Sequence, residues 1–423
     1  MNAPLPHDPY QALRFHNFRL LLTGNLIASL GGQMLALAIG WELYNRTNSA
    51  LALGLVGLVQ VVPILLLSLI TGHVADRYNR KRVVILSQIV LVIAALGLAA
   101  LALVQGPLVA IYGCLLIRGI GAAFNGPAAG TLPAEIVPEH VFENSASWRS
   151  SIGQLAAVVG PAAGGLLISA LHGTAFVYCL TALGNTTFII LLFFVRTDQA
   201  NLRSRLRQRE RPTLRSLGEG ISFLRRSPVL LSAITLDLFA VLFGGAVALL
   251  PIFAKDILHV GPSGLGWLQA ASSIGAVIVA LGMAHRPPLQ RAGPTLLLAV
   301  AGFGLATIVF GLSRSFWLSF FMLVTLGGLD SISMVIRDTL MLARIPDEMR
   351  GRVAAIEGVF VSSSNQLGGF ESGVTAQLFG PVLSVVGGGI GTILVVFIVT
   401  GVWPELRGLR TLRENVPEEA AAT

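Results

Sequence analysis

Charged residues are scarce in this sequence, and their scarcity excludes most classes of soluble protein. Asp, Glu, Lys and Arg together make up 12% of the 423 residues, whereas soluble domains carry about 25%. Hydrophobic residues make up 54% and the mean hydropathy is +0.76, so the chain has more apolar surface than one water-soluble core could bury. The composition predicts an integral membrane protein.

Cysteine is almost absent as well. Cys114 and Cys179 are the two that occur, and both fall within predicted helices, so we expect no disulfide framework and no Cys/His metal site. The sequence also lacks a Walker phosphate-binding loop, which argues against ATP hydrolysis by this chain. We therefore expect no enzyme activity and no cofactor.

Acidic residues are outnumbered, 21 against 29 Lys and Arg, and the net charge of +8 is unevenly distributed. Only Arg46, Lys255 and Arg314 fall on the predicted outer side, while Arg118 falls inside a span. An excess of Lys and Arg marks the cytoplasmic side of a membrane protein and suits an anionic inner leaflet. We therefore expect both termini in the cytoplasm, and a lipid bilayer rather than nucleic acid as the partner of these charges.

About twelve apolar runs are long enough to cross a bilayer, which takes about 20 residues each. An arginine-rich polar segment divides them into two sets of six. A Thr-Leu-x-x-x-x-(Val/Ile)-Pro-(Glu/Asp) pattern follows the fourth run at 131–139 and the tenth run at 339–347, which indicates a duplicated six-helix half. The predicted organisation is a cytoplasmic segment 1–18, a six-helix bundle 19–195, a basic cytoplasmic linker 196–228, a second six-helix bundle 229–403 and a cytoplasmic tail 404–423.

The densest group of charges is the turn Gly72-His73-Val74-Ala75-Asp76-Arg77-Tyr78-Asn79-Arg80-Lys81-Arg82, between the second and third runs. A plain positive-inside anchor would explain such a turn. Its pattern Gly-x-x-x-Asp-Arg-x-x-Arg-Lys, however, resembles the loop between helices 2 and 3 of the major facilitator superfamily. That resemblance implies an all-α membrane protein with twelve transmembrane helices in two pseudo-symmetric six-helix bundles, in a bacterial inner membrane.

The same resemblance implies an inner gate, whose members here would be Gly72, Asp76, Arg77, Arg80, Lys81 and Glu357. Gly72 would let helix 2 pack on helix 11, Asp76 would face the start of helix 11, and Arg80 would join a charge network. Asn79 stands where the family often has glycine, and asparagine tolerates a left-handed conformation. Glu357 lies in the first turns of helix 11, where it could meet Arg77 or Arg80, although the helix dipole alone would favour an acid there.

The fifth run contains Ala156-Ala157-Val158-Val159-Gly160-Pro161-Ala162-Ala163-Gly164-Gly165. A proline inside a helix removes one backbone donor and bends the helix. The stretch resembles the antiporter motif of exporters in the superfamily, Gly-x-x-x-Gly-Pro-x-x-Gly-Gly, with Ala156 in place of the first glycine. The resemblance implies an exporter in which Gly160, Pro161, Gly164 and Gly165 shape a moving helix. An ordinary kinked packing helix is the alternative.

Ionisable residues inside spans are functional candidates by default, and the candidates here for the cavity or for proton coupling are Asp237, Arg118, Asp330, Glu371 and Glu42. A carboxyl group removed from water can take up and release a proton near neutral pH. Asp330 and Asp338 could instead form a structural pair with Arg337. The cations nearest to Asp237 in the sequence, Arg225 and Arg226, are expected to stay in water. Glu371 and Glu42 could both be solvated at the outer mouth.

Further stretches resemble the enterobactin-exporter and transmembrane-secretion-effector branch of the superfamily, namely Trp41-Glu42-Leu43-Tyr44, Arg350-Gly351-Arg352-Val353, Ser364-Asn365-Gln366-Leu367-Gly368 and Glu371-Ser372-Gly373. The resemblance implies a proton-coupled exporter, expected to be a monomer, whose substrate is a small organic molecule, either a siderophore or an amphipathic drug. A lysophospholipid flippase and a non-transporting membrane sensor or scaffold remain as alternatives. The first would act without a pH gradient, and the second would move no solute.

Overall fold

The computed structural model describes residues 8–196, 218, 222–285 and 291–409. Within them the chain is almost entirely helical and contains no strand. Most of the linker expected at 196–228 and most of the tail expected at 404–423 lie outside the described residues.

Twelve long helices follow one another in the described parts of the chain, in the order that the apolar runs predict. They are α1 (His16–Thr47), α2 (Ala50–Arg77), α3 (Arg80–Leu103), α4 (Leu108–Thr131), α5 (Phe142–Leu171), α6 (Ala175–Phe194), α7 (Pro228–Phe243), α8 (Gly261–Ala284), α9 (Ala292–Leu312), α10 (Phe316–Arg344), α11 (Asp347–Phe379) and α12 (Pro381–Val402). After α7 the chain continues through a 3-10 turn at Gly245–Leu249 and a π turn at Phe253–Ile257.

In the described residues, eleven helical segments are both long and apolar enough to cross a membrane, and the segment that includes α7 runs from Pro228 to Ile257. The remaining long helix is α11, with 33 residues. Its first turns carry Asp347, Arg350 and Glu357, which lower its hydropathy although its length is sufficient. The chain is therefore a multi-pass membrane protein.

The turn between α2 and α3 is formed by Tyr78 and Asn79. Asn79 has φ −63° and ψ 112°, and its side chain accepts a hydrogen bond of 3.2 Å from the backbone N–H of Arg82. Such a bond satisfies one of the free N–H groups at the start of a helix. Asn79 therefore caps α3, and it does not adopt the left-handed conformation that asparagine tolerates.

The chain forms two compact units. The first unit comprises Met1–Glu42 and Val62–Glu210, and the second comprises Leu43–Val61 and Arg211–Thr423. In the first unit α3 packs against α4 and α6; in the second unit α9 packs against α10 and α12. The same relation thus recurs six helices later, as expected of a duplicated half. The end of α1 and the start of α2 group with the second unit, whereas the sequence assigned them to the first bundle.

Candidate functional site

A buried ion pair joins two helices of the second unit. The carboxylate of Asp237 on α7 accepts from the guanidinium of Arg337 on α10, and each residue is only 5% exposed. A charge is removed from water at high cost unless it is paired, so each of these groups requires the other. Removal of either partner would therefore leave an unpaired charge buried between α7 and α10.

Three more carboxyl groups surround this pair. Asp330 and Asp338 on α10 and Glu357 on α11 each interact electrostatically with Arg337. Asp330 also lines one small cavity together with Asp237. We call these four acids and the arginine the acid cluster.

The acid cluster has more potential negative charge than positive charge. Its one guanidinium can neutralise one carboxylate. Three acids remain, of which Asp330 and Glu357 are half-buried and Asp338 is exposed. Like charges repel more strongly in part-buried surroundings than in water. Acids arranged in this way inside a span are typical of proton relays in transporters.

The sequence did not predict the partner of Asp237. Its nearest cations in the sequence are Arg225 and Arg226, whereas its ion-pair partner, Arg337, is on another helix. Arg337 was expected to pair with Asp330 and Asp338 on its own helix. Those two interact with it electrostatically, but the ion pair goes to Asp237.

A cavity of about 200 Å³ lies within the first unit, and its lining is partly polar. Its lining comes from α1, α3, α4 and α6 and consists of Asn25, Ala28, Ser29, Gly32, Leu35, Gln88, Leu91, Arg118, Ala122, Asn125, Gly126, Thr181 and Asn185. We call it the Arg118 cavity. The sequence predicted only Arg118. Asn125 lies seven residues further on the same helix and could have been found as well, because such positions share one helix face.

Two cations of the predicted inner gate bind inside the first unit. Arg80 is 5% exposed and lies 3.8 Å from the Glu135 carboxylate, between Nε and Oε1; its guanidinium also donates to the Thr131 carbonyl at 3.4 Å. Lys81 donates to the carbonyls of Phe193 at 3.2 Å and Val195 at 2.7 Å. Lys81 thereby satisfies free carbonyl groups at the end of α6, where a cation is favoured by the helix dipole. Sequence reasoning missed Glu135.

The other predicted gate residues are Gly72, Asp76, Arg77 and Glu357. Arg77 is exposed and Gly72 is half-buried at the end of α2, while the side chain of Asp76 lies outside the described ones. Glu357 is half-buried, and its electrostatic partners are Arg337, Asp338 and Asp237. Glu357 therefore belongs to the acid cluster.

The glycines of the exporter motif are packing positions on α5. A Cβ on Gly160 would lie 2.6 Å from Cβ of Gln33, and one on Gly164 would lie 3.2 Å from Cα of Met34. Pro161 and Gly165 are buried beside them. The motif thus allows α5 to approach α1 closely, as small residues do between helices in lipid.

Close approach of α2 to α11 occurs at glycines that the sequence did not single out. Within the second unit, a Cβ on Gly54 would lie 3.0 Å from Cα of Gly373, and one on Gly57 would lie 2.5 Å from the carbonyl of Gln366. Nearby, the Tyr44 hydroxyl donates to Asp256, and Lys255 donates to Asn48 at 2.7 Å. The resemblance had assigned the close approach of helix 2 to Gly72.

Glu42 and Glu371 differ in their surroundings. Glu42 is only 8% exposed, and its carboxylate accepts hydrogen bonds of 2.7 Å from the hydroxyls of Thr174 and Tyr178. The expectation that Glu42 is solvated is therefore wrong, because these two hydroxyls replace water. Glu371 is half-buried and lies beside the Ser372 hydroxyl at 3.4 Å.

The chain belongs to the transmembrane secretion effector family, since the model of that family matches residues 7–410. Among its relatives is the enterobactin exporter of Escherichia coli O1:K1, which is 29% identical over 395 residues, 93% of each chain. This confirms the resemblance found in the sequence.

Solved structures show the fold. A bacterial homologue of the human lysosomal transporter Spinster, in an inward-facing and unoccupied conformation, has a TM-score of 0.72 at 16% identity and covers 92% of this chain and 98% of its own. A nucleoside transporter has a TM-score of 0.72 at 12% identity, and the match covers 91% of this chain and 98% of the transporter. The chain therefore has the major facilitator fold, in which twelve transmembrane helices form two six-helix bundles. Its family and its exporter relative, rather than these structures, support a transporter of small molecules.

Proposed function

We propose that this member of the transmembrane secretion effector family exports a small organic molecule from the cytoplasm in exchange for protons, by alternating access. Proton antiport requires a group that changes its protonation inside the membrane during each cycle. The acid cluster supplies such groups. The protein would lie in a bacterial inner membrane with both termini in the cytoplasm, which the placement of its Lys and Arg residues supports.

The buried pair of Asp237 and Arg337 is the observation on which the proposal rests. Asp237 can remain ionised while Arg337 faces it, and it would bind a proton once a conformational change separates the two. Asp330, Asp338 and Glu357 also interact electrostatically with Arg337, so they are the alternative partners of the arginine after such a change. A switch between two such pairings couples protonation to helix movement.

The relatives support a siderophore as the cargo. The enterobactin exporter of E. coli matches 93% of this chain, and the match extends over both units. An amphipathic drug is the second class of cargo that the exporter motif on α5 implies.

The inner gate at the α2–α3 turn remains part of the proposal. Arg80 would leave Glu135, and Lys81 would leave the end of α6, whenever α3 moves relative to α4 and α6. Gly72, Asp76 and Arg77 would complete the gate at the end of α2.

Everted membrane vesicles from cells with and without the gene test the function. Respiration acidifies the interior of such vesicles, so export appears as uptake of labelled enterobactin. We expect uptake only in vesicles that contain the protein, and we expect a protonophore to abolish it. Equal uptake in both vesicle types would reject enterobactin as cargo, and uptake that survives the protonophore would reject proton antiport. Movement of a labelled lysophospholipid without a gradient would favour the flippase alternative.

A further inference from the structure

We infer that residues 9–12 form a brace that joins the start of α5 to the start of α1, so that these two helices move together when the transporter changes conformation. The inference rests on the proposed export function, because alternating access requires helices to move. It depends on the hydrogen bonds of the brace, on the sparse packing of α5 beside it and on the position of Pro161.

Two side chains of α5 hold the brace. The amide of Asn144 accepts from the backbone N–H of Ala12 at 2.9 Å and donates to the Pro9 carbonyl at 2.8 Å. The indole N–H of Trp148 donates to the same carbonyl at 3.0 Å. Asn144 and Trp148 are one helical turn apart and so share one face of α5. Hydrogen bonds from this face therefore hold a backbone segment that leads directly into α1.

Apolar contacts strengthen the same junction. Ala12 is fully buried and belongs to one hydrophobic cluster with Ile152 of α5 and Phe18 of α1. The rings of Tyr10 and Trp148 are tilted against each other with their centroids 6.1 Å apart, and aromatic pairs at such distances attract each other. The segment therefore has a defined position on α5, although it precedes the first long helix.

The first half of α5 has little other packing. Between Ser145 and Ala156 its one buried residue is Ile152, and no described atom lies within 4 Å of a Cβ placed on Gly153. Arg149 donates one hydrogen bond to a backbone carbonyl of α4 at 3.1 Å. Few contacts therefore hold this half of the helix in place apart from the brace.

Pro161 gives this half of α5 a point about which it can bend. Proline has no N–H, so it cannot donate to the carbonyl of Ala157, and the helix is weakened there. Around this point Gly160 and Gly164 pack closely on α1. With the brace closed, α5 is attached to α1 both at its start and at the bend, so the two helices move as one. With the brace broken, the first half of α5 would bend away from α1 at Pro161.

Hydrogen–deuterium exchange of the purified full-length protein tests the brace without cargo or gradient. Asn144→Leu removes two of its hydrogen bonds, and we expect amides at 142–152 to exchange about tenfold faster, because local opening becomes easier. Amides after Gly164 should not change, whereas general destabilisation would raise exchange in every helix. Asn365→Leu is the matched control, since Asn365 is exposed and its amide donates to a carbonyl of its own helix.

Two milder variants keep the test decisive if Asn144→Leu does not fold. Trp148→Phe removes the bond to Pro9 and keeps an aromatic ring beside Tyr10, while Asn144→Asp keeps the acceptor for Ala12 and removes the donor to Pro9. Each variant loses one hydrogen bond, so each should raise exchange at 142–152 about threefold. Unchanged exchange at 142–152 in the variants that fold would overturn the inference.

A crosslink tests whether α1 and α5 stay together during transport. Gln11 and Ser147 line one cleft beside the brace, so Gln11→Cys with Ser147→Cys, in a protein that also carries Cys114→Ser and Cys179→Ser, can be joined by a short bismaleimide. We expect uptake into everted vesicles to stay within about twofold of the uncrosslinked protein, because a junction that remains closed does not limit the conformational step.

Loss of uptake after the bismaleimide, but not after a monofunctional maleimide, would show that the brace opens in each cycle and would overturn the inference. If the uncrosslinked protein itself takes up no labelled enterobactin, the export proposal fails for that cargo. The exchange measurements involve no transport, so they decide the brace independently of that result.

Discussion

Arg337 on α10 forms a buried ion pair with Asp237 on α7, and the two helices of the second unit are thereby joined at a charged contact. A buried ion pair barely repays the cost of removing its charges from water. For this pair the attraction and the cost of removing the charges from water are nearly equal, because Asp330, Asp338 and Glu357 also interact electrostatically with Arg337. The binding of one proton can therefore change which acid is paired with Arg337.

Replacement of Asp237 by asparagine should abolish proton-driven export. Asparagine has nearly the same shape but cannot bind or release a proton, and Arg337 would keep its three other acids. We expect uptake into everted vesicles to fall to the level of vesicles without the protein. Asp8→Asn is the matched control, since Asp8 pairs with Arg14 at a partly exposed position. Normal uptake by Asp237→Asn would exclude Asp237 from coupling.

Replacement of Arg337 by glutamine should destabilise the protein by about 3–5 kcal/mol, because a buried carboxylate then lacks its cation. The double variant Asp237→Asn with Arg337→Gln should recover part of that loss, since it removes both charges. Thermal unfolding in detergent of the four proteins gives the coupling energy as a double-mutant cycle. Simple additivity of the two losses would show that the pair contributes no interaction.

The sequence predicted the helices better than it predicted their contacts. The position and length of each apolar run indicate one membrane span, so the order of the twelve helices could be read directly from the sequence. The partner of Asp237 could not be read from the sequence, because Arg337 is on another helix. Both residues fall in apolar runs, and Arg337 has several acids near it that could have been its partner. The Arg118 cavity shows the same limit, since its lining comes from four helices.

The α2–α3 turn shows a second limit. The sequence indicated only that Asn79 tolerates a left-handed conformation, whereas the residue caps α3 through its side chain. Asparagine is suited to both positions, and residue type alone does not distinguish them.

Replacement of Glu42 by glutamine should reduce stability but leave coupling intact. The hydroxyls of Thr174 and Tyr178 both donate to one carboxylate oxygen, Oε2, and the amide oxygen of glutamine could accept both but carries no charge. We expect a loss of about 1–3 kcal/mol, because hydrogen bonds to a charged acceptor are stronger than those to a neutral one. Thermal unfolding measures this loss. Uptake by Glu42→Gln should still respond fully to a protonophore, and a protonophore-insensitive variant would place Glu42 among the coupling residues.

A side chain at Gly54 should disturb the packing of α2 on α11. A Cβ on Gly54 would lie 3.0 Å from Cα of Gly373 and 3.0 Å from the carbonyl of Phe370, and both are backbone atoms that cannot rotate away. Gly54→Val should therefore cost about 1–3 kcal/mol, as overpacking does. Gly113→Val is the matched control, because Gly113 is also inside a long helix and no described atom lies within 4 Å of its Cβ position. If thermal unfolding in detergent shows equal losses for the two variants, the effect of Gly54→Val comes from valine in a helix and not from the contact with α11.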